Sequence, residues 1–381
     1  MSDALPAPRR VTRLSFADFR SYAALDLDTD ARIVALVGEN GAGKTNLLEA
    51  LSLFTPGRGL RRAPFADMAR KGGSGGFAVS VTLDRATGGA RLGTGLEPSA
   101  TGRKCRIDGA PVPSPAAFAE YLRIVWLTPA LDGLFLGPAG DRRRFLDRLV
   151  LAIDAAHGTR TSAYERALSS RNRILDEAPT NARWLDSIEH EVAELGVAVA
   201  AARLETVARL QALIDAGHDS ASPFPSARIA LAGTLEDELG ALPAVEVEDR
   251  FRRGLREGRA RDRAAGRALA GPQTSDLAIR HAAKDMAAAL CSTGEQKALL
   301  IGLVLAHARL VADMSGIAPL VLLDEVAAHL DPRRRAALFA ALERLGSQIF
   351  MTGADPALFA DLPASAVTCL VTPGQAIHFN A

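Results

Sequence analysis

The sequence predicts an α/β fold, a mixed-sheet lobe whose strands come from both ends of the chain, interrupted by an inserted, mostly helical second lobe. Three observations predict it. An apolar run, Ile33 to Val37, passes through a glycine-rich loop into a helix-forming stretch that ends at Ala50. A second apolar run, Leu320 to Leu323, ends in the acid pair Asp324-Glu325, as a strand buried on both faces does where its C-terminal end meets a crevice. Between them, residues 142–216 carry apolar positions three and four apart with charges between, and no strand signal.

The glycine loop is the most specific element. Gly38-Glu39-Asn40-Gly41-Ala42-Gly43-Lys44-Thr45 fits G-x-x-x-x-G-K-[ST] at every position, in the strand–loop–helix context that a Walker A phosphate site requires. The glycines let successive N–H groups converge on one anion, and the next helix adds the positive end of its dipole. The expected ATP-binding residues are therefore Gly38, Glu39, Asn40, Gly41, Ala42, Gly43, Lys44 and Thr45, with Asn46 beside them. Lys44 is expected on the β- and γ-phosphates and Thr45 on Mg²⁺. An ordinary strand–helix turn needs one glycine and neither the lysine nor the hydroxyl.

Composition bounds the partners. The chain has 381 residues, long for one core, with 48% hydrophobic and 23% charged residues. Net charge is +1, so any case for nucleic acid must be local. Cys105, Cys291 and Cys369 are far apart and lack CxxC spacing, which argues against a disulfide framework or zinc site and points to a reducing, cytoplasmic home. The N-terminal MSDALPAPRRV lacks the apolar core of a signal peptide. The most apolar stretch, Ala298 to Val311, is broken by His307 and Arg309 and is expected as a buried helix, with no membrane partner.

In chain order, residues 11–28 alternate at strand spacing with a turn near Arg20-Ser21-Tyr22. Phe16, Phe19 and Tyr22 are expected as core or hairpin-face aromatics; Arg20 and Tyr22 have the alternative of lying against the nucleotide. The loop Thr55 to Arg62 is either a solvated basic loop or a phosphate contact. Residues 77–83, 90–96 and 104–112 are expected as antiparallel strands, with turns at Thr87-Gly88-Gly89 and Asp108-Gly109, followed by a strand over 123–127. Arg142-Arg143-Arg144 opens the helical region against the helix dipole, leaving either a charged helix start or an anionic partner. Residues 223–248 are expected to hold one strand, 227–232, among turns. The basic run 250–267 is either a solvated helix face or a phosphate-backbone contact. From Gly271-Pro272 the first pattern returns: a strand over 277–280, a helix after Ser292, a helix over 332–345, and strands over 348–352, 366–372 and 377–379. The expected division is 1–135 with 268–381 as one lobe and 136–267 as the inserted helical arm.

Asp324 is expected to hold Mg²⁺ through its water shell and Glu325 to polarise the attacking water, as the catalytic residue of a Walker B pair. Ser292-Thr293-Gly294-Glu295-Gln296 fits a capping box, and a helix start with a hydroxyl and a glycine amide also suits an anion. These motifs, with His329-Leu330-Asp331 in the D-loop place, resemble an ABC-type ATPase head. The resemblance implies that Ser292 to Gln296 of one copy close over the ATP of another, with Asp331 at the seam, so that two ATPs are sandwiched in a homodimer. Phe19-Arg20-Ser21-Tyr22, Gly38 to Leu51, Arg142 to Asp147, Gly271-Pro272 and Ser292 to Lys297 more closely resemble the RecF family, over essentially the whole chain. That resemblance implies slow ATP hydrolysis used for release, binding to gapped, duplex or single-stranded DNA, cooperation with RecR and RecO, and loading of RecA.

The chain departs from the family pattern at three places. Gln273-Thr274-Ser275-Asp276 replace the His and Arg that usually follow Gly-Pro. Thr128-Pro129-Ala130-Leu131-Asp132 lacks the Q-loop glutamine, and Thr352 stands in the switch place where transporters carry histidine. The rival readings are an SMC-like ATP-gated scaffold and a transporter-type head. Helices of ~30 residues or fewer without sustained heptads argue against long SMC coiled coils.

Overall fold

The alternating N-terminal segment forms the hairpin β1 (Arg10–Phe19) and β2 (Tyr22–Asp28), with Arg20 in the turn at φ 52°. The structure is a computed structural model that describes residues 9–85, 88–177, 182–217, 223–373 and 378–380. The N-terminal stretch read as carrying no signal peptide, up to residue 8, and the expected Thr87 and Ile377 lie outside the described residues. After the hairpin come β3 (Ile33–Val37), α1 (Lys44–Ser52), β4 (Phe77–Asp84), β5 (Ala90–Leu96), β6 (Lys104–Ile107), β7 (Ala110–Val112) and β8 (Ile124–Leu127). The middle of the chain forms α2 (Ala139–Ile153), α3 (His157–Glu177), α4 (Ala182–Ala216), β9 (Ala227–Ala232), α5 (Thr234–Leu239), α6 (Ala244–Glu257), α7 (Arg259–Ala265), β10 (Asp276–His281) and β11 (Met286–Ala287). The last part holds α8 (Thr293–Ser315), β12 (Leu320–Leu323), α9 (Pro332–Arg344), β13 (Ile349–Gly353), β14 (Val367–Leu370) and β15 (His378–Asn380).

The chain divides into two compact units. The first is Met1–Asp132, His218–Pro225 and Ser292–Ala381; the second is Gly133–Gly217 and Ser226–Cys291. This differs from the expected division, which gave 268–291 to the first lobe. The reason is pairing: β10 runs antiparallel to β9 from Asp276↔Ala232 to His281↔Ala227, so backbone hydrogen bonds tie the two segments into one small sheet with β11. The second unit is therefore helices plus a three-stranded sheet.

The first unit contains two six-stranded sheets. One is antiparallel, ordered β2-β1-β4-β5-β6-β7; the other is ordered β15-β14-β3-β13-β12-β8, parallel except for edge strand β15. In the second, β3 and β12 are buried at every residue, as parallel strands covered on both faces must be. Helix α1 touches β1 of one sheet and β13 of the other, and a single apolar cluster running from Val11 to Val371 joins them. Gln348 pins the two sheets together: its Oε1 accepts from Val11 N at 2.8 Å, and its Nε2 donates to Val11 O and Ala31 O at 3.0 and 3.1 Å. Among the described residues α8 is the one helix long and apolar enough to cross a membrane, and most of it is buried inside this unit.

In the second unit α4 runs for 35 residues, longer than expected from the sequence. Residues 234–248, expected as turns, instead form α5 and the first part of α6, and α6 runs on into the basic run as a helix, because Leu235, Val247, Phe251 and Leu255 pack into the core formed by α3 and α4. Gly196 of α4 makes this packing possible: a Cβ there would stand 2.9 Å from the Phe251 ring and 3.1 Å from that of Tyr164. A buried polar knot holds the helix ends. Arg171, fully buried, donates to Glu189 at 3.0 Å, Asp262 at 2.8 Å and the Leu255 carbonyl at 2.7 Å. Every donor finding a carboxylate or carbonyl is what makes such a burial tolerable.

Candidate nucleotide site

The glycine loop sits where β3 hands over to α1, and its glycines are dictated by different constraints. A Cβ on Gly38 would lie 2.2 Å from the Val371 carbonyl oxygen; one on Gly43 would lie 2.4 Å from the Tyr22 hydroxyl. Gly41 has open space around it, but its φ of 85° disfavours any side chain. Gly43 is the N-cap of α1 and supplies no side chain to the first amides, and no acid follows in the first turn. Those N–H groups and the dipole are thus left for an anion. Lys44 is buried and donates to the carbonyls of Gly38 and Glu39 at 2.6 and 2.9 Å, so its amine lies inside the loop it is to serve. Burial lowers its pKa, while Glu325 and Asp324 act in the opposite sense. Glu39, Asn40 and Gly41 are exposed at the rim, and Ala42 is buried.

The turn Phe19-Arg20-Ser21-Tyr22 proves to be the buttress of this loop. Phe19 and Tyr22 are buried in the core, the first of the two alternatives for these aromatics. Tyr22 lies against Gly43, and burial pushes its hydroxyl up to about 12. Arg20 grips the fully buried Glu49 of α1 with two bonds of 2.5 and 2.8 Å. Ser21 accepts from Asn46 at 3.0 Å. From the basic loop, Arg61 donates to both Asn46 (2.8 Å) and Glu49 (3.1 Å), so this arginine stands at the rim of the site while Arg58 remains exposed. The roles of Glu49 and Arg61 were not foreseen. The available signal was the three-residue spacing of Asn46 and Glu49, which puts both on one face of α1.

Strand order brings the two distant motifs together. β13 lies between β3 and β12, so the ends of the glycine-loop strand and of the acid-pair strand flank Thr352. Thr45 donates to Asp324 Oδ1 at 2.9 Å across 279 residues of sequence. Thr352 donates to the same oxygen at 2.8 Å and accepts from the Glu325 amide at 2.9 Å. Glu325 follows with φ 52°. The donor set fits Mg²⁺: a hydroxyl with lone pairs free and a carboxylate, both hard oxygen ligands, at the mouth of a phosphate loop. Among the described residues no cluster of three or more His, Cys, Asp or Glu offers an all-protein metal cage, which suits a metal whose other ligands are phosphate and water.

Ser292 to Gln296 open α8. The capping box is complete, with the Ser292 hydroxyl accepting from the Glu295 amide and Glu295 returning to the Ser292 amide at 3.1 Å. Ser292, Thr293 and Gly294 are exposed, and Gln296 is buried. Asp331 caps α9 by accepting from the Arg334 amide at 2.9 Å, and Arg334 reaches the Gly294 carbonyl at 3.4 Å, so the signature and D-loop places adjoin. In the Q-loop place, Asp132 pairs with Lys297 at 3.1 Å. The structure thus brings Lys44, Thr45, Asp324 and Glu325 into one site, while the contacts of Ser292 and Gly294 lie at their own helix start and on Arg334.

Several arginines of the second unit's basic clusters are paired within the unit, while Arg253, Arg261, Arg263 and Arg267 are exposed. Arg142 makes a two-point bridge to Asp276 (2.7 and 2.8 Å), Arg143 donates to the Ser275 carbonyl at 2.7 Å, and Arg144 pairs with Asp141. The arginines that oppose the α2 dipole thus meet acids and carbonyls of their own unit. In the 250–267 run, Arg250, Arg252 and Arg259 bridge Glu246, Asp249 and Asp186 with Glu189. Arg203 donates to the Pro272 carbonyl at 2.6 Å and bridges Asp147 at 2.8 and 2.9 Å, so the Gly271–Asp276 loop is anchored at both ends.

The fold is that of an ABC-type ATPase head with an inserted second unit. The family model described as RecF/RecN/SMC N terminal domain matches residues 10–372. The DNA replication and repair protein RecF of Mesorhizobium japonicum is 56% identical over 372 residues, covering 97% of this chain and 98% of its own. That of Rhizobium meliloti is 54% identical over 367 residues, covering 96% and 98%. The solved structure of the recombination mediator protein RecF-ATP in the RecFOR pathway superposes with a TM-score of 0.86 over 100% of both chains, at 19% identity. The Smc head domain of Pyrococcus furiosus superposes with a TM-score of 0.55 over 98% of this chain and 96% of that one, at 15% identity. The chain belongs to the RecF family.

Proposed function

We propose that this chain is an ATP-dependent DNA-binding protein of recombinational repair. ATP closes it into a homodimer on gapped DNA or junctions, where it works with RecR and RecO to help load RecA, and slow hydrolysis releases it. The observation that carries the reading is the pairing, in one unit, of an uncapped phosphate loop with an exposed, self-capped helix start at Ser292. The loop amides and Lys44 bind the triphosphate, and Thr45 and Asp324 would hold Mg²⁺, which would supply positive charge against the phosphates. Glu325 orients the attacking water. Ser292 and Gly294 serve the ATP of a second copy, with Asp331 beside them.

Two variants test this by sedimentation with saturating ATP and Mg²⁺, with and without gapped, duplex and single-stranded DNA. Glu325→Gln should retain ATP and accumulate as a dimer; a monomer under those conditions overturns the sandwich. Lys44→Ala should bind ATP at least ~100-fold more weakly, since a charge-assisted contact to phosphate is removed from a buried position. DNA binding should fall steeply between low and moderate salt. A dimer that forms normally yet never binds DNA would instead favour the ATP-gated scaffold.

A further inference from the structure

Thr352 occupies a buried place on β13 where an apolar β-branched residue would pack equally well, so its hydroxyl calls for explanation. A hydroxyl has one hydrogen and two lone pairs. Here the hydrogen goes to Asp324 Oδ1 at 2.8 Å, and a lone pair receives the Glu325 amide at 2.9 Å. One atom therefore fixes the carboxylate of one acid and the backbone of the next. That backbone needs fixing: at φ 52° Glu325 is in the left-handed region, which a non-glycine residue adopts only when its surroundings hold it there. Thr45 also donates to that Asp324 oxygen at 2.9 Å, so its lone pairs would be available to a metal.

We propose that Thr352 is a positioning residue for ATP hydrolysis: its hydroxyl clamps Asp324 and Glu325 together in the geometry that Mg²⁺ and the attacking water require. In the switch place, where transporters carry histidine, Thr352 thus does its work on the two acids themselves. The inference rests on the roles given above to Asp324 and Glu325. It holds for ATP and Mg²⁺ binding before any turnover occurs.

The test compares the full chain with Thr352→Val, Thr352→Ala, Thr352→Ser and Glu325→Gln, each checked for folding by thermal melting. ATP affinity is measured by titration in EDTA and again with Mg²⁺, and turnover is measured separately. Thr352→Val and Thr352→Ala should keep the affinity in EDTA within ~2-fold, lose at least ~5-fold of the gain conferred by Mg²⁺, and lower kcat at least ~10-fold. Thr352→Ser, which restores the hydroxyl, should recover both to within ~3-fold. The proposal is overturned if Thr352→Val and Thr352→Ala keep the Mg²⁺ gain and kcat, if they weaken ATP equally in EDTA, or if Thr352→Ser is as impaired as Thr352→Val. Wild-type turnover in Glu325→Gln would overturn the underlying assignment of Glu325 instead, so the two failures are distinguishable.

Discussion

Helices α1 and α8 both begin at a candidate phosphate contact, yet their first turns are built in opposite ways. At α1 the N-cap is Gly43, no side chain covers the amides, and the first residue is a lysine. At α8 the N-cap is Ser292, and Glu295 closes a reciprocal capping box that gives the Ser292 and Glu295 amides their partners. The α1 start is held from outside, by Tyr22, Val371 and the Arg20–Glu49 bridge; the α8 start holds itself and is exposed. The difference teaches which site is complete. A bare amide cradle braced by its own fold can take an anion alone, whereas a helix start whose capping box already uses two amides leaves fewer donors for one and depends more on its exposed hydroxyl and Gly294.

Substitutions can break this contrast. Gly43→Ala should have the largest effect, because the new methyl meets the Tyr22 hydroxyl at 2.4 Å and φ is 108°. Overpacking and backbone strain together should cost about 3 kcal/mol in a denaturant titration, with ATP binding lost. Gly41→Ala has the strained φ without the collision, so about 1 kcal/mol is expected, and ATP affinity should fall less than for Gly43→Ala. Equal effects at the two glycines would show that the Tyr22 buttress is unimportant. Ser292→Ala removes the cap and should lower stability by about 1 kcal/mol while leaving ATP binding by the monomer intact. Ser292→Asp sharpens the comparison most: aspartate caps the Glu295 amide as serine does but cannot donate to the Glu295 carboxylate as the Ser292 hydroxyl does at 3.0 Å, so a loss of about 1 kcal/mol or less is expected. Its added negative charge should nonetheless block ATP-driven dimerisation measured by sedimentation. A normal dimer from Ser292→Asp would remove Ser292 from the phosphate of a second copy.

Much of the site was legible because its constraints are local. The glycine spacing, the apolar runs on either side and the Ser292–Glu295 box are each properties of short segments, and β5 and β9 fall on the residues that alternation indicates. Local logic misled where the partner was remote. Residues 268–291 were placed with the head because a strand signal was taken for a return of the first pattern, whereas β10 belongs with β9 by hydrogen bonding. The start of helix α6, before residue 249, is hidden among turn signals from Gly240 and Pro243, although Val247, Phe251 and Leu255 stand at four-residue spacing. The arginines of 142–144 pose a puzzle only until Asp276 and the Ser275 carbonyl are seen beside them.

By itself, the sequence determined that a phosphate loop exists, that an acid pair ends a buried strand, and that a capped helix start lies between them. Periodicity and turn chemistry act over a few residues, and the code for each of these is complete within its own segment. Only the tertiary structure decided that β13 would run between β3 and β12, placing the Thr352 hydroxyl on both acids and the Thr45 hydroxyl on Asp324. It likewise decided that a hairpin turn at Arg20 would brace the helix behind Lys44. Strand order and long-range ion pairs are set by which apolar faces bury together, a competition among all segments at once that no single stretch encodes.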